Sequence, residues 1–265
     1  MLGSWLHRRS EWFLHAATAI GFGGRRALAG WIMYGLRCPV SWLPPLAGFG
    51  PFTHRDEYAS ILDNFFEGAL RFEPLERHVS STTNALVLDV GVNVGITVRW
   101  WLHLNPHAQV IAVDMIREAN EFSARALAAV NPAYPAQVRY VEAVVGETSG
   151  SMEISFDDPL AGTNSTRARN GATRREVATR TLDDIWLEAG GRDVAVLKID
   201  IEGAAGATLA GAPQVLRRSQ FVVAEWHDAA ELSRVTSLCL DAGLSLVSVN
   251  AKMLFFERIL AEPRS

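Results

Sequence analysis

Two groups of side chains in this chain have types and spacings that could do chemistry. The first is the run Leu88, Asp89, Val90, Gly91, Val92, Asn93, Val94, Gly95. Glycine at 91 and 95 lets the backbone turn sharply and lets a ligand approach without a Cβ in the way. Ile96 to Leu104 then reads as a helix whose first N–H groups face the turn. A dinucleotide fingerprint would set further glycines at 93 and 96, where this chain has Asn93 and Ile96, so a nicotinamide cofactor is the weaker reading. Asp89, at the strand end, can pair with the ammonium group of an amino-acid-bearing cofactor. Asp114 closes the next strand, where a carboxylate can accept both hydroxyls of a ribose. Together they fit S-adenosylmethionine.

The second group is Lys198, Asp200 and Glu202, followed by Glu225 and His227. Residues two apart in a strand share a face, so each set can point one way. Both sets stand at the carboxyl ends of strands, where ligands of open parallel sheets bind. Asp200 and His227 are the candidate general bases for a hydroxyl acceptor, with cofactor positioning and a satisfied loop histidine as the structural alternatives. Asp200, Glu202, Glu225 and His227 could instead gather a hard cation such as Mg²⁺, a secondary expectation. Arg167, Arg169, Arg174, Arg175 and Arg180 could clamp a phosphate or carboxylate on the acceptor, or form a solvated charged loop.

These residues need a scaffold, and its pattern is legible. Strands are expected at Leu86–Val90, Gln109–Asp114, Val138–Val145, Val194–Asp200, Phe221–Glu225, Leu244–Val249 and Met253–Glu257. Helix-type segments alternate with them, the signature of a parallel sheet wrapped on both faces. Met152–Phe156 and Glu176–Thr181 alternate apolar and polar residues and predict a hairpin insertion. Arg55 to His78 carries Tyr58, Ile61, Leu62, Phe65, Phe66 and Leu70 at helical spacing, predicting one amphipathic helix.

The turn at Leu88–Gly95 is followed by Thr181, Leu182, Asp183, Asp184, by Leu197, Lys198, Ile199, Asp200, Ile201, Glu202, Gly203, and by Leu209, Ala210, Gly211, Ala212. In these stretches the chain resembles the FkbM family of methyltransferases over roughly residues 55 to 257. The resemblance implies an α/β class I methyltransferase fold, a Rossmann-like, seven-stranded, mostly parallel sheet with helices on both faces. It also implies S-adenosylmethionine as donor and a hydroxyl acceptor on a sugar, polyketide or other natural product. The expected cofactor contacts are Asp89, Gly91, Asn93, Gly95, Asp114, Met115 and Glu142; the expected catalytic group is Asp200, His227, Glu202 and Lys198. Three places depart from the family's usual pattern: Asp114-Met115 where Glu-Pro is common, Val92 for alanine, and Ala205 for glutamate. The last leaves a non-catalytic binding or scaffold role as the rival reading.

Composition bounds the rest. With 265 residues, 49% hydrophobic and 20% charged, the chain is an ordinary globular protein. A net charge of −4 argues against general nucleic-acid binding. Cys38 and Cys239 lie far apart and outside any metal or redox spacing, and a cytoplasmic protein with reduced thiols is expected. Residues 1–54 are expected to form a tryptophan- and arginine-rich helical extension, and 55–265 the methyltransferase domain. Trp5, Trp12, Trp31 and Trp42 alternate there with Arg8, Arg9, Arg25, Arg26 and Arg37, and the apolar runs are too short for a membrane span. Glu11 and His15 argue against a secretory signal. A helical cap on the main domain is expected, with peripheral membrane contact as the alternative.

Overall fold

The structure, a computed structural model, describes residues 21, 23–162, 164, 166 and 171–259. The expectations attached to Trp5, Arg8, Arg9, Glu11, Trp12, His15, Arg167 and Arg169 lie outside these residues. Ten strands follow in chain order: β1 (Leu86–Val90), β2 (Gln109–Asp114), β3 (Val138–Glu142), β4 (Val144–Val145), β5 (Gly150–Phe156), β6 (Thr173–Arg180), β7 (Val194–Ile199), β8 (Ser219–Glu225), β9 (Ser245–Asn250) and β10 (Met253–Glu257). Seven build the main sheet in the order β3-β2-β1-β7-β8-β10-β9, parallel except for β10, which runs against both its neighbours. This is the expected seven-stranded, mostly parallel α/β architecture. Helices cover both faces, so every residue of β1 and β7 is buried, and all are apolar except Asp89 and Lys198.

Alternation along these strands divides the core into two layers. Val87, Val110, Val196 and Phe221 face one layer. Leu86, Leu88, Val90, Leu197 and Ile199 face the other. The chain order reverses between β1 and β7, and the crevice at their carboxyl ends is where a ligand fits an open sheet.

The predicted hairpin forms: β5 and β6 pair antiparallel with Met152 opposite Val177. The third expected strand, in contrast, divides at Ala143. Ala143 still donates to the Asp114 carbonyl at 3.1 Å, after which β4 leaves the main sheet to pair in parallel with β6.

The helix expected from Arg55 to His78 is three pieces: Arg55–Ile61, a π turn at Leu62–Phe66, and Glu73–Ser81. Two residues explain the break. Gly68 takes φ +81°, and Pro74, which lacks an N–H and is tolerated only in a helix's first turn, stands second in the last piece. Glu57 caps the first piece, accepting the backbone N–H groups of Thr53 (2.6 Å) and His54 (2.7 Å). Its other oxygen meets Arg99 at 2.8 Å, both side chains being fully buried. Arg99 in turn donates to the carbonyls of Phe49, Val94 and Gly95. This buried pair fastens the N-terminal segment to the glycine turn, and Ala27, Leu43, Leu46, Phe49 and Phe52 share a core with Val87 and Trp101.

Candidate functional site

The glycine turn has the backbone its sequence requires, with positive φ at Gly91 (84°), Asn93 (47°) and Gly95 (74°). What the missing side chains make room for is protein rather than ligand. A Cβ at Gly91 would stand 1.8 Å from the Asp200 carbonyl oxygen, and one at Gly95 would stand 2.0 Å from Ser123 Oγ. The glycines let the ends of β1 and β7, and the helix Arg117–Val130, close around the turn. Gly91 borders the cavity that results; Gly95 does not.

That cavity encloses about 940 Å³ of empty space, counted out to its mouth, enough for a nucleoside-sized donor with an acceptor beside it. Of the expected cofactor contacts, Gly91, Asn93, Asp114 and Met115 line one end. Asp114 is fixed by two backbone donors, Asn93 N–H to Oδ2 and Ile116 N–H to Oδ1, each at 2.9 Å. Burial pushes its carboxyl above the ordinary range, against the opposing pull of those amides and of Lys198. Asn93 Oδ1 and Thr97 Oγ1 are buried in this lining without a protein hydrogen-bond partner. Buried polar atoms are ordinarily satisfied, so both mark where a polar ligand fits.

Besides Gly95, two expected cofactor contacts, Asp89 and Glu142, are placed elsewhere. Asp89 is fully buried beneath the turn, where one oxygen meets Lys198 Nζ at 3.1 Å and the other accepts from Trp101 Nε1 at 2.9 Å. It does not line the cavity, because its place inside β1 aims it into the core, and its charge is already balanced. Glu142 ends β3 on the outward side of the alternation, exposed, beside Arg175 at 3.5 Å. Ala143, Val144 and Val145 take up the lining instead.

At the other end stand Lys198, Asp200 and Glu202, with Glu225 and His227 behind them. Lys198 is almost fully buried; its Nζ donates to the Gly91 carbonyl at 2.8 Å and lies 3.5 Å from Asp200. Burial opposes its charge, but Asp89 and Asp200 outweigh burial and hold the ammonium above the ordinary lysine range. His227 does not border the cavity. Its Nδ1 accepts the Gly203 N–H at 3.3 Å, so the ring proton belongs on Nε2, which faces Glu202 at 2.9 Å and Glu225 at 3.3 Å. In that tautomer the ring holds Glu202 in place from behind the cavity wall. Glu225 is pushed up to about 8, chiefly by burial and then by its neighbours Asp200, to which it is hydrogen-bonded, and Glu202. Glu202, Glu225 and His227 offer ligand atoms within 4.8 Å of one another.

The described arginines of the insertion are matched with acids. Arg175 meets Glu118 (2.5 Å) and Glu142, Arg174 meets Glu153 (3.5 Å), and Arg180 bonds Glu188. None of the three lines the cavity; the other two arginines expected there, Arg167 and Arg169, lie outside the described residues. At Ala205 the methyl group is fully buried, and its N–H donates to Glu231 Oε1 at 2.9 Å, which brings a carboxylate to this position from another helix.

Thr97, Ser60 and Asn64 also line the cavity and were missed in the sequence. Thr97 could have been found, since it sits in the first helical turn after Gly95. Ser60 and Asn64 depend on the π turn, where Asn64 donates to the Ser60 carbonyl at 2.9 Å, and nothing in the sequence marks that turn.

Residues 89–244 match the methyltransferase FkbM domain. The chain is 25% identical over 162 residues to the 2-O-methyltransferase NoeI of Sinorhizobium fredii, a stretch covering 54% of this chain and 63% of that relative. Among solved structures it is similar to a putative rRNA-methylase from Clostridium thermocellum (TM-score 0.46, 9% identity, 72% of this chain and 96% of that one). It is also similar to an O-methyltransferase from Bacillus cereus (TM-score 0.42, 9% identity, 70% and 79% covered).

Proposed function

Because the chain belongs to the FkbM methyltransferase family, we propose that it transfers a methyl group from S-adenosylmethionine to a hydroxyl of a small-molecule acceptor. The observation that carries this reading is one cavity joining a fixed nucleoside cradle to a pair of carboxylates: Asn93, Thr97 and Asp114 at one end, Asp200 and Glu202 at the other. The free oxygens of Asn93 and Thr97 suit the amino-acid end of the donor, and Asp114 the ribose hydroxyls, through lone pairs its two amide partners leave open.

When bound, the donor supplies an electrophilic methyl group on a sulfonium. Asp200 faces the cavity with Lys198 Nζ 3.5 Å away, so its carboxylate can take the proton from an acceptor hydroxyl held against it. Glu202, fixed by His227, orients that hydroxyl. With carboxylates at this end and the described insertion arginines, Arg174, Arg175 and Arg180, paired elsewhere, a neutral, hydroxyl-bearing acceptor fits better than an anionic one.

Calorimetric titration with S-adenosylmethionine tests the donor. Wild-type protein should bind, and Asp114→Ala should weaken binding by about 10- to 100-fold through loss of charge-assisted hydrogen bonds. No binding by wild type, or equal binding by the variant, refutes the assignment.

A further inference from the structure

The helix of residues 23–35 docks on the domain by its small residues. Tyr58 is fully buried and donates its hydroxyl to the Ala27 carbonyl at 3.0 Å. A Cβ at Gly30 would stand 2.5 Å from that hydroxyl, and Tyr34 stacks on the Tyr58 ring at 5.3 Å. With Ala27, Gly30 and Tyr34 held inward, helical periodicity turns Arg25, Ala29, Ile32 and Leu36 to the opposite side. All four are exposed, Leu36 by 73%.

The outward stripe of a surface helix is ordinarily polar. Here it is Ala29, Ile32 and Leu36, with Arg25 and Arg26 at one end and Arg37 at the other, where the chain turns at φ 58°. Trp42 follows on a short 3₁₀ turn, 65% exposed. From residue 12 to residue 55 the sequence contains no Asp or Glu, although the whole chain carries −4. An acid-free, arginine-bounded apolar ridge on an acidic protein is complementary to a surface that is both anionic and apolar beneath its charge. A folded protein partner would need only one of those properties; a bilayer of anionic phospholipid has both. The ridge also lies outside the stretch that matches the family domain.

We infer that this face is a docking surface for an anionic lipid bilayer. Ile32, Leu36 and Trp42 seat at the headgroup level, while Arg25, Arg26 and Arg37 meet lipid phosphates. Among the described residues no helix is long and apolar enough to cross a membrane, and the contact inferred is one along the surface.

The test is co-sedimentation of the full chain with vesicles of phosphatidylcholine alone and of phosphatidylcholine mixed with phosphatidylglycerol. Binding is expected to the mixed vesicles only, and to weaken as salt rises. The combined variant Arg25→Gln, Arg26→Gln, Arg37→Gln should lower partitioning by about a hundredfold, from about fivefold per arginine. Leu36→Ser with Trp42→Ser should abolish it while leaving the unfolding midpoint in place, since both side chains are exposed. Absence of binding, equal binding to both vesicle types, or binding indifferent to both variants overturns the inference. Self-association abolished by Leu36→Ser also overturns it, by giving the face to a second copy.

Discussion

On the β1–β2 side of the cavity the polar groups are set out by backbone geometry, and two of them, Asn93 Oδ1 and Thr97 Oγ1, have no protein partner. On the β7–β8 side the polar groups bond to one another: Asp200 to Glu225, Glu202 to the His227 ring, the His227 backbone N–H to Glu231, and the Gly203 N–H to the His227 ring. The first side is rigid and unsatisfied, which suits tight binding of a single ligand whose polar atoms complete it. The second is satisfied without a ligand and links carboxyl groups to an imidazole at the cavity wall, which suits transfer of a proton. Lys198 belongs to both, bonding Asp89 and the Gly91 carbonyl on one side and approaching Asp200 on the other.

That shared role gives the largest expected effect. Lys198→Met leaves Asp89 charged and fully buried with only Trp101 for a partner, and breaking a buried pair by removing one member costs about 3–5 kcal/mol. Urea unfolding measures it. A loss below about 1 kcal/mol, the worth of an exposed pair, would mean that the two sides are not joined through this residue.

Next in size is the division of labour itself. Asp200→Asn should lower methyl transfer by about 10²- to 10⁴-fold, the usual contribution of a positioned base, while leaving donor affinity within about threefold. His227→Gln, which disturbs Glu202 without touching the cavity, should cost less than Asp200→Asn and also spare donor binding. If either variant weakens the donor as much as it slows transfer, the two ends do not act separately.

The sequence made the two ends legible to different degrees. Motif spacing located Asn93, Asp114, Asp200 and Glu202, because strand ends and turns in this topology aim such residues at one crevice. It misplaced Asp89, because a carboxylate inside a fully buried strand and one at its exposed end look alike until the partner is seen, and the partner, Lys198, comes more than a hundred residues later. Glu142 failed for a related reason: strand periodicity gives two faces, and the sequence does not say which looks inward. Ser60 and Asn64 were hidden by a π turn, since the 3.6-residue spacing of Tyr58, Ile61 and Phe65 reads as an unbroken helix. The arginines of β6 suggested an anion site because their acidic partners, Glu118, Glu142, Glu153 and Glu188, come from other elements.

The smallest effect concerns protons on the β7–β8 side. Glu225 is pushed up to about 8 from its ordinary 4.5 by burial and by Asp200 and Glu202. Between those pH values the folded protein keeps a proton that the unfolded chain has released. Its contribution to stability is therefore full below about 4.5 and is lost as pH rises through about 8. Asp114 is raised in the same direction, so part of the slope comes from the other side of the cavity. Glu225→Gln keeps the hydrogen-bonding shape of the protonated carboxyl and removes only its titration. Urea midpoints measured at pH 5 and pH 8 should fall less in this variant than in wild type, and the slope that remains belongs to Asp114 and the other titrating groups. An unchanged slope would place the titrating proton away from Glu225. Methyl transfer by wild type should also decline above pH 8, where Glu225 ionises and two charged carboxylates confront each other beside the base, whereas Glu225→Gln should hold its rate into that range.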